Sequence, residues 1–342
     1  MIGKERKTWV TASDVAARAG VSRSAVSRAF SSTASIAPDT RERVMAAARA
    51  LGYQVNLIAR DMITQRSSMI GVVTAGFENP LRARLLSDLM AVLGQRAFTP
   101  LVTNADDPQQ LRQALERLLS YRVAGLVMTS ASPPLSVARQ YLAHRIPVVM
   151  INREANLAGA DVVVSDNAAG AAEAAQRLVH AGARRLAFVG PHTASFSARA
   201  RADAFAHAHA LQRGNMSGAT LASVIDTASD THACGLDAAQ QLFAADHRPD
   251  GVFCSSDLLA LGVIDAARAA FGLRVPDDVR VIGFDDIPAA AYDAYRLTTL
   301  RQDTQGLAHA AIDLLADRIN AFDGASRTRV VPVTHVVRHS CA

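Results

Sequence analysis

Two different hydrophobic rhythms divide the chain. Up to about residue 66 the apolar positions recur at helical spacing: Val15, Ala16 and Ala19 form one short stripe, Ala25, Val26 and Ala29 a second, and Val44, Met45, Ala48 and Leu51 a third. Apolar residues three and four apart share one helix face, so three short amphipathic helices are predicted. Gly20 supplies the left-handed residue that a tight turn between the first two requires, and Ser22 caps the second. Pro38 opens the third, Asp39 and Glu42 stand in its first turn where the helix dipole favours acids, and Gly52 ends it. From Met69 the rhythm changes. Short apolar runs at 69–73, 99–103, 125–128, 147–151, 162–164, 185–189, 251–253 and 279–282 alternate with longer Ala- and Leu-rich stretches. Alternating strand and helix implies parallel sheets covered on both faces, with ligands bound beyond the carboxyl ends of the strands. The expected fold is therefore an N-terminal all-α head followed by an α/β core of two parallel-sheet lobes.

The length of 342 residues fits this division, since single cores seldom grow so large. With 50% hydrophobic and 20% charged residues the chain has globular usage, which excludes a disordered or fibrous protein. Charge changes the picture more. The net +5 is not spread evenly: residues 1–66 hold eleven Lys or Arg against five acids, or +6, and the remaining 25 basic and 26 acidic residues leave the rest at −1. The positive charge belongs to the helical head.

The second helix gives that charge a shape. With Ala25, Val26 and Ala29 turned inward, Arg23, Ser24, Ser27 and Arg28 are left on the outer face. Hydroxyls reach phosphates and base edges, and Arg forks onto guanine O6 and N7, so this face suits a major groove. Two short helices about a Gly make a helix-turn-helix. Cys234, Cys254 and Cys341 stand far apart with no metal-ligand spacing, as core or tail thiols in a reducing compartment would. No signal-peptide pattern and no run of eighteen apolar residues occurs, so a cytoplasmic protein without metal or cofactor is expected.

Residues 10–30, then Thr40 to Val44, Leu51-Gly-Tyr53 and Asn56 to Arg60, closely resemble the LacI/GalR family of transcriptional regulators. The resemblance continues through Val164-Ser-Asp166-Asn167, Phe188-Val-Gly190-Pro191, Cys254-Ser-Ser256-Asp257, Gly283-Phe-Asp-Asp286 and Leu297-Thr-Thr299. It implies a core like a periplasmic sugar-binding protein, with two lobes closing on an effector. It also implies that Arg23, Ser24 and Arg28 read bases, that Thr11, Ser22 and Ser27 hold phosphates, and that Asn56, Ala59, Arg60 and Met62 belong to a hinge helix in the minor groove. Two hinge positions depart from the family: Val55 replaces a usual Pro, and Met62 a usual Leu wedge. Methionine is apolar and long enough to enter a base step.

Carried over position by position, the resemblance places Arg201 and Asp285 against the effector, with Thr129, Asn152 and Ser256 at neighbouring strand ends. Leu81 and Arg82 stand where aromatics are common, and none occurs near Asp230, so stacking on a flat ligand is poorly supported. Arg82, Arg153 and Arg201 together give weight to an anionic effector such as a sugar acid or sugar phosphate, because Arg pairs bidentately with such groups. The expected boundaries are 1–54 for the head, 55–68 for hinge and linker, and 69–342 for the core, with lobe 1 about 69–160 and 287–302 and lobe 2 about 161–286 and 303–342. The reading is a homodimeric repressor on a near-palindromic operator. An enzyme is the alternative, but no G-x-G-x-x-G, Walker loop or G-x-S-x-G elbow is present. A third reading, an effector-independent DNA-binding protein, predicts no ligand and no sequence preference.

Overall fold

The computed structural model describes residues 9–30, 34–56, 67–129, 135–154, 156–214 and 218–341. It divides the chain into two compact units, Met1–Ser67 and Ser68–Ala342.

In the first unit, α1 (Ala12–Ala19), α2 (Arg23–Ala29) and α3 (Pro38–Leu51) enclose a small core in which Val15, Val26 and Val44 are almost wholly buried among alanines. Thr11 caps α1 through a reciprocal box with Asp14, and Gly20 turns the chain at φ 64° with its N–H bonded to Ala16 and Ala17. Ser22 accepts from the Ala25 N–H at 3.2 Å and so starts α2. The three helices stand where the apolar stripes place them.

The second unit contains two sheets of six strands among the described residues. Sheet 1 has the order β11-β5-β4-β3-β1-β2, with β1 Met69–Thr74, β2 Thr99–Asn104, β3 Gly125–Met128, β4 Val148–Ile151, β5 Asp161–Ser165 and β11 Thr328–Val331. Sheet 2 has the order β12-β10-β9-β8-β6-β7, with β6 Arg185–Gly190, β7 Thr220–Asp226, β8 Gly251–Cys254, β9 Arg280–Asp285, β10 Thr298–Gln302 and β12 Val333–Val336. All pairings are parallel except β10 with β12. Parallel strands need crossover helices. In lobe 1 these are α4 (Pro80–Gln95), α5 (Pro108–Ser120) and α6 (Leu135–Ala143); in lobe 2 they are α7 (Asn167–His180), α8 (Phe196–Gly214), α9 (His232–Phe243) and α10 (Asp257–Ala269); α11 (Thr304–Asn320) follows β10. Helices α9 and α10 meet backbone to backbone. A Cβ on Gly235 would lie 2.3 Å from the Leu259 carbonyl oxygen, and one on Gly262 would lie 2.2 Å from that of His232.

The strands divide between the lobes differently from the sequence expectation. β5 was assigned to lobe 2, but it pairs with β4 and β11 in sheet 1; β10 was assigned to lobe 1, but it pairs with β9 in sheet 2. The segment 303–342 also does not belong to lobe 2 throughout, because α11 inserts Leu307, Ile312, Leu314 and Leu315 beside Leu89 and Leu93 in the core of lobe 1. Lobe 1 is thus 69–165 with 304–331, and lobe 2 is 167–302 with 333–341. An apolar run is equally buried in either sheet, so periodicity carries no information about which sheet receives it. The chain crosses between lobes three times, after β5, after β10 and after β11.

Candidate functional site

On α2 the side chains of Arg23, Ser24, Ser27 and Arg28 are exposed, and no acid stands in the helix. Ala25, Val26 and Ala29 fill the opposite face. This is an uninterrupted basic and hydroxylic surface, the arrangement the sequence predicts. Ser22 and Ser24 share a hydrogen bond at 2.9 Å, and Ser22 also caps the helix. Thr11 is more fully engaged: its Oγ1 donates to Asp14 Oδ2 at 2.8 Å and accepts from the Asp14 N–H at 3.3 Å. The Thr11 backbone N–H, which donates to Asp14 Oδ2 at 2.8 Å, and then the Thr11 hydroxyl hold the Asp14 carboxyl below its ordinary range. Asn56 is exposed, while Ala59, Arg60 and Met62 lie outside the described residues.

In the second unit the carboxyl ends of both sheets supply polar groups. From lobe 1 come Thr129, Asn152, Arg153 and Ser165, and from lobe 2 come Ser255, Ser256, Asp285 and Gln302. Arg201, on α8, is 5% exposed. Its Nε donates to Asn167 Oδ1 at 2.8 Å, Nη1 donates to the Ser255 carbonyl, and the guanidinium lies 3.5 Å from the centroid of the Phe284 ring. Nη1 is also 3.9 Å from Asp285 Oδ1. Removing two opposite charges from water disfavours both charged forms. Burial accordingly lowers Arg201 to about 10 and raises Asp285 to about 8 against the pull of the guanidinium.

Gln302 links the lobes. Its Nε2 donates to Asp285 Oδ1 at 2.7 Å, while its Oε1 accepts from Asn152 Nδ2 at 3.1 Å and from Ser165 Oγ at 2.5 Å. Asn152 and Asp285 both have positive φ, 53° and 125°. Non-glycine residues are held there only when their surroundings impose it, and such residues cluster at ligand clamps. At the rim, Asp230 of lobe 2 accepts from Asn79 at 3.3 Å and pairs with Arg82 at 3.4 Å, and Glu154 of lobe 1 pairs with Arg199 of lobe 2 at 3.6 Å. Arg82 therefore bridges the lobes.

The other expected residues fall into place differently. Arg153 is buried, which lowers its pKa. Thr129 stands half-buried after β3, its N–H donated to Val73. Ser256 caps α10, accepting from the Leu259 N–H at 3.4 Å. Asn167, Ser165 and Gln302 were not singled out from sequence. Asn167 and Ser165 lie in the family-like stretch Val164-Ser-Asp166-Asn167, but Gln302 ends a strand the apolar pattern does not reveal and carries no signal. Asp257 is also buried, and burial raises it to about 6, yet Thr299 Oγ1 and the Ile287 N–H both donate to it. It ties β8, β9 and β10 together. Among the described residues no group of three or more His, Cys, Asp or Glu is placed to hold a metal ion, and no helix is long and apolar enough to cross a membrane.

Comparison with known proteins agrees with both units. The signature of bacterial regulatory proteins of the lacI family matches residues 11–56, and that of a periplasmic binding protein-like domain matches 175–341. The chain is 32% identical over 316 residues to the HTH-type transcriptional repressor PurR of Klebsiella pneumoniae (strain 342), covering 90% of each protein. It is 31% identical over 334 residues to the ribose operon repressor of Bacillus subtilis (strain 168), covering 96% of this chain and 97% of that one. In fold it matches the lac repressor dimer bound to operator and the anti-inducer ONPF, with a TM-score of 0.84 at 24% identity over 98% of this chain and 99% of that one. It also matches the transcriptional regulator CelR in its cellobiose complex, with a TM-score of 0.72 at 26% identity over 97% and 99%. With the helix-turn-helix surface, the two-lobed core and relatives of this identity over nearly their whole length, the chain belongs to the LacI family of DNA-binding transcriptional repressors and is not an enzyme.

Proposed function

We propose that this repressor works in the cytoplasm as a homodimer on a near-palindromic operator, and that a neutral, hydroxyl-rich ligand such as a sugar, held by Arg201 and Asp285, sets its operator affinity. The observation that carries this reading is the buried Arg201–Asp285 pair at the strand ends, bound through Gln302 to Asn152 and Ser165 of the other lobe. A guanidinium donates and a carboxyl oxygen accepts, so the pair can take both functions of a sugar hydroxyl. Arg82 already pairs with Asp230, which removes one of the three arginines from the argument for an anion. The related ribose operon repressor and the cellobiose-bound neighbour point the same way.

Arg23, Ser24, Ser27 and Arg28 would enter the major groove, Ser22 would hold a phosphate beside them, and Asn56, Ala59, Arg60 and Met62 would contribute the minor-groove hinge. Self-association is supported by Met90 and Val102 in lobe 1 and Val224 and Tyr292 in lobe 2, apolar side chains 40 to 59% exposed. Val102 and Val224 stand on β2 and β7, the corresponding terminal strands of the two sheets. Two-fold symmetry of the protein then matches two half-sites. A ligand that bridges Asp285 and Asn152 prefers one lobe arrangement, and by linkage it alters operator affinity only through that preference. Calorimetry with ribose, cellobiose, gluconate and glucose 6-phosphate tests the ligand class. Binding confined to the two anions would overturn it.

A further inference from the structure

We propose that Trp9 is a DNA-contacting residue, with its indole lying on the sugar-phosphate backbone where the chain enters α1, in the role that sequence reading gives to Thr11. This rests on the DNA-binding reading of the head and adds a residue to it.

Thr11 is poorly suited to hold a phosphate. Its hydroxyl both donates to and accepts from Asp14, and its own N–H donates to Asp14 Oδ2 at 2.8 Å. Both donors of Thr11 are therefore committed to a carboxylate, and a phosphate, which only accepts, is left without one. Trp9 precedes this box by two residues and is 76% exposed. Between them Val10 packs against the head core, and Thr11 is extended at φ −104°, ψ 163°. Successive side chains of an extended segment point to opposite sides, so with Val10 turned inward Trp9 is turned out.

That disposition runs against what the head needs for its own stability. Its buried cluster is built only of Val and Ala: Val15, Ala16, Val26, Ala29, Val44, Ala47 and Ala48. The one tryptophan in the chain would bury more apolar surface than any of them, yet it stays in water. An exposed large aromatic on a small polar unit marks a surface that becomes covered. Charge selects the cover: residues 1–66 carry +6, and Lys4, Arg6 and Lys7 immediately precede Trp9 in sequence. Indole chemistry fits the same occupant. Its flat face is apolar, as deoxyribose is, and its single N–H is a donor without an acceptor, matched to phosphate oxygens that only accept.

Because the chain has a single tryptophan, indole emission from the full-length protein reports residue 9 alone. The protein is titrated at low salt with an unlabelled random-sequence duplex, and a parallel titration with end-labelled duplex follows binding by anisotropy. At saturation, quenching of the indole by acrylamide should fall about threefold, as expected for a side chain lying on the backbone. Trp9→Ala should weaken binding of random and selected operator duplexes by one common factor of about five, the size of a single lost contact. It should leave the salt slope unchanged because no cation is removed. Trp9→Phe, which keeps the ring and loses the N–H, should fall between. Since the residue is exposed, both variants should melt like the parent. Saturated binding with unaltered acrylamide access, a Trp9→Ala variant that binds as tightly as the parent, or an indole already shielded without DNA would each overturn the assignment. Failure to bind any duplex at low salt would overturn the DNA-binding reading and this one together.

Discussion

Arginine has opposite fates in the two units. On α2, Arg23 and Arg28 stand in solvent beside small hydroxyls, with no acid in their helix. In the core, Arg201 and Arg318 are each 5% exposed and bonded to their own chain, Arg318 through every donor. Arg318 donates to both oxygens of Asp161 and to the carbonyls of Phe322, Gly324 and Ala325, and Arg327 closes on the same carboxylate at 2.7 Å. A guanidinium with all its donors bound fixes architecture, whereas one with none bound to its own chain is available to a polyanion. Net charge per segment located the DNA-binding unit for this reason; the same count is silent about the core, where positive and negative groups cancel.

The contrast can be broken most directly at Asp161, which has no exposed surface. Asp161→Ala strands a buried guanidinium and should destabilise the core by about 3–5 kcal/mol, read from the urea midpoint. A loss below about 1 kcal/mol would mean that this arginine is as replaceable as a surface one. Next in size, Arg23→Ala should reduce discrimination between operator and random duplex by about 1–3 kcal/mol while core melting stays unchanged. Equal losses on both duplexes would make Arg23 a backbone contact. Smaller still, Thr11→Ala should lower head stability by about 1 kcal/mol through the lost cap. Amide exchange in α1 measures this.

Protonation sharpens the comparison further, because the two units should respond with opposite sign. Asp285 is raised by burial to about 8, above its unfolded value near 3.9. The folded core thus holds a proton that the unfolded chain releases, so this stability is complete below the unfolded value and is lost as pH rises through 8. Asp14 is lowered by its bonds to Thr11, so its contribution is present above the unfolded value and is lost as pH falls through the folded one. Melting followed across pH should show Asp285→Asn flattening the loss of core stability between about pH 4 and 8 and Asp14→Asn flattening the acid loss in the head. Interchanged effects would refute the assignment.

The head was readable in sequence because each of its elements is short, local and punctuated: Gly20, Ser22, Pro38 and Gly52 mark ends by their own chemistry. The buried strands were readable too, except β10, whose Thr- and Gln-bearing sequence is not an apolar run. β7 was not, since its side chains alternate between half-buried and exposed on a sheet edge, and β11 is mostly exposed. The same physics limits the site. Arg201 and Asp285 lie in recognisable blocks, but Gln302, which connects them to the other lobe, is defined by partners 17, 137 and 150 residues away. The competition between capping and ligand binding at Thr11 and Ser256 also depends on geometry: a hydroxyl before a helix reads alike in both roles until its partners are seen.

The three crossings between lobes have a consequence for biosynthesis. A ribosome releases the head first, and its three helices contact one another within about fifty residues, so it can fold while the rest is still being made. Lobe 1 cannot follow. Its apolar face beneath β1, β3 and β4 is closed by Leu307, Ile312, Leu314 and Leu315, which emerge after all of lobe 2 except its last strand. Until then that surface faces solvent, and a nascent chain stalled before α11 would display a charged, folded DNA-binding head tethered to an open hydrophobic sheet.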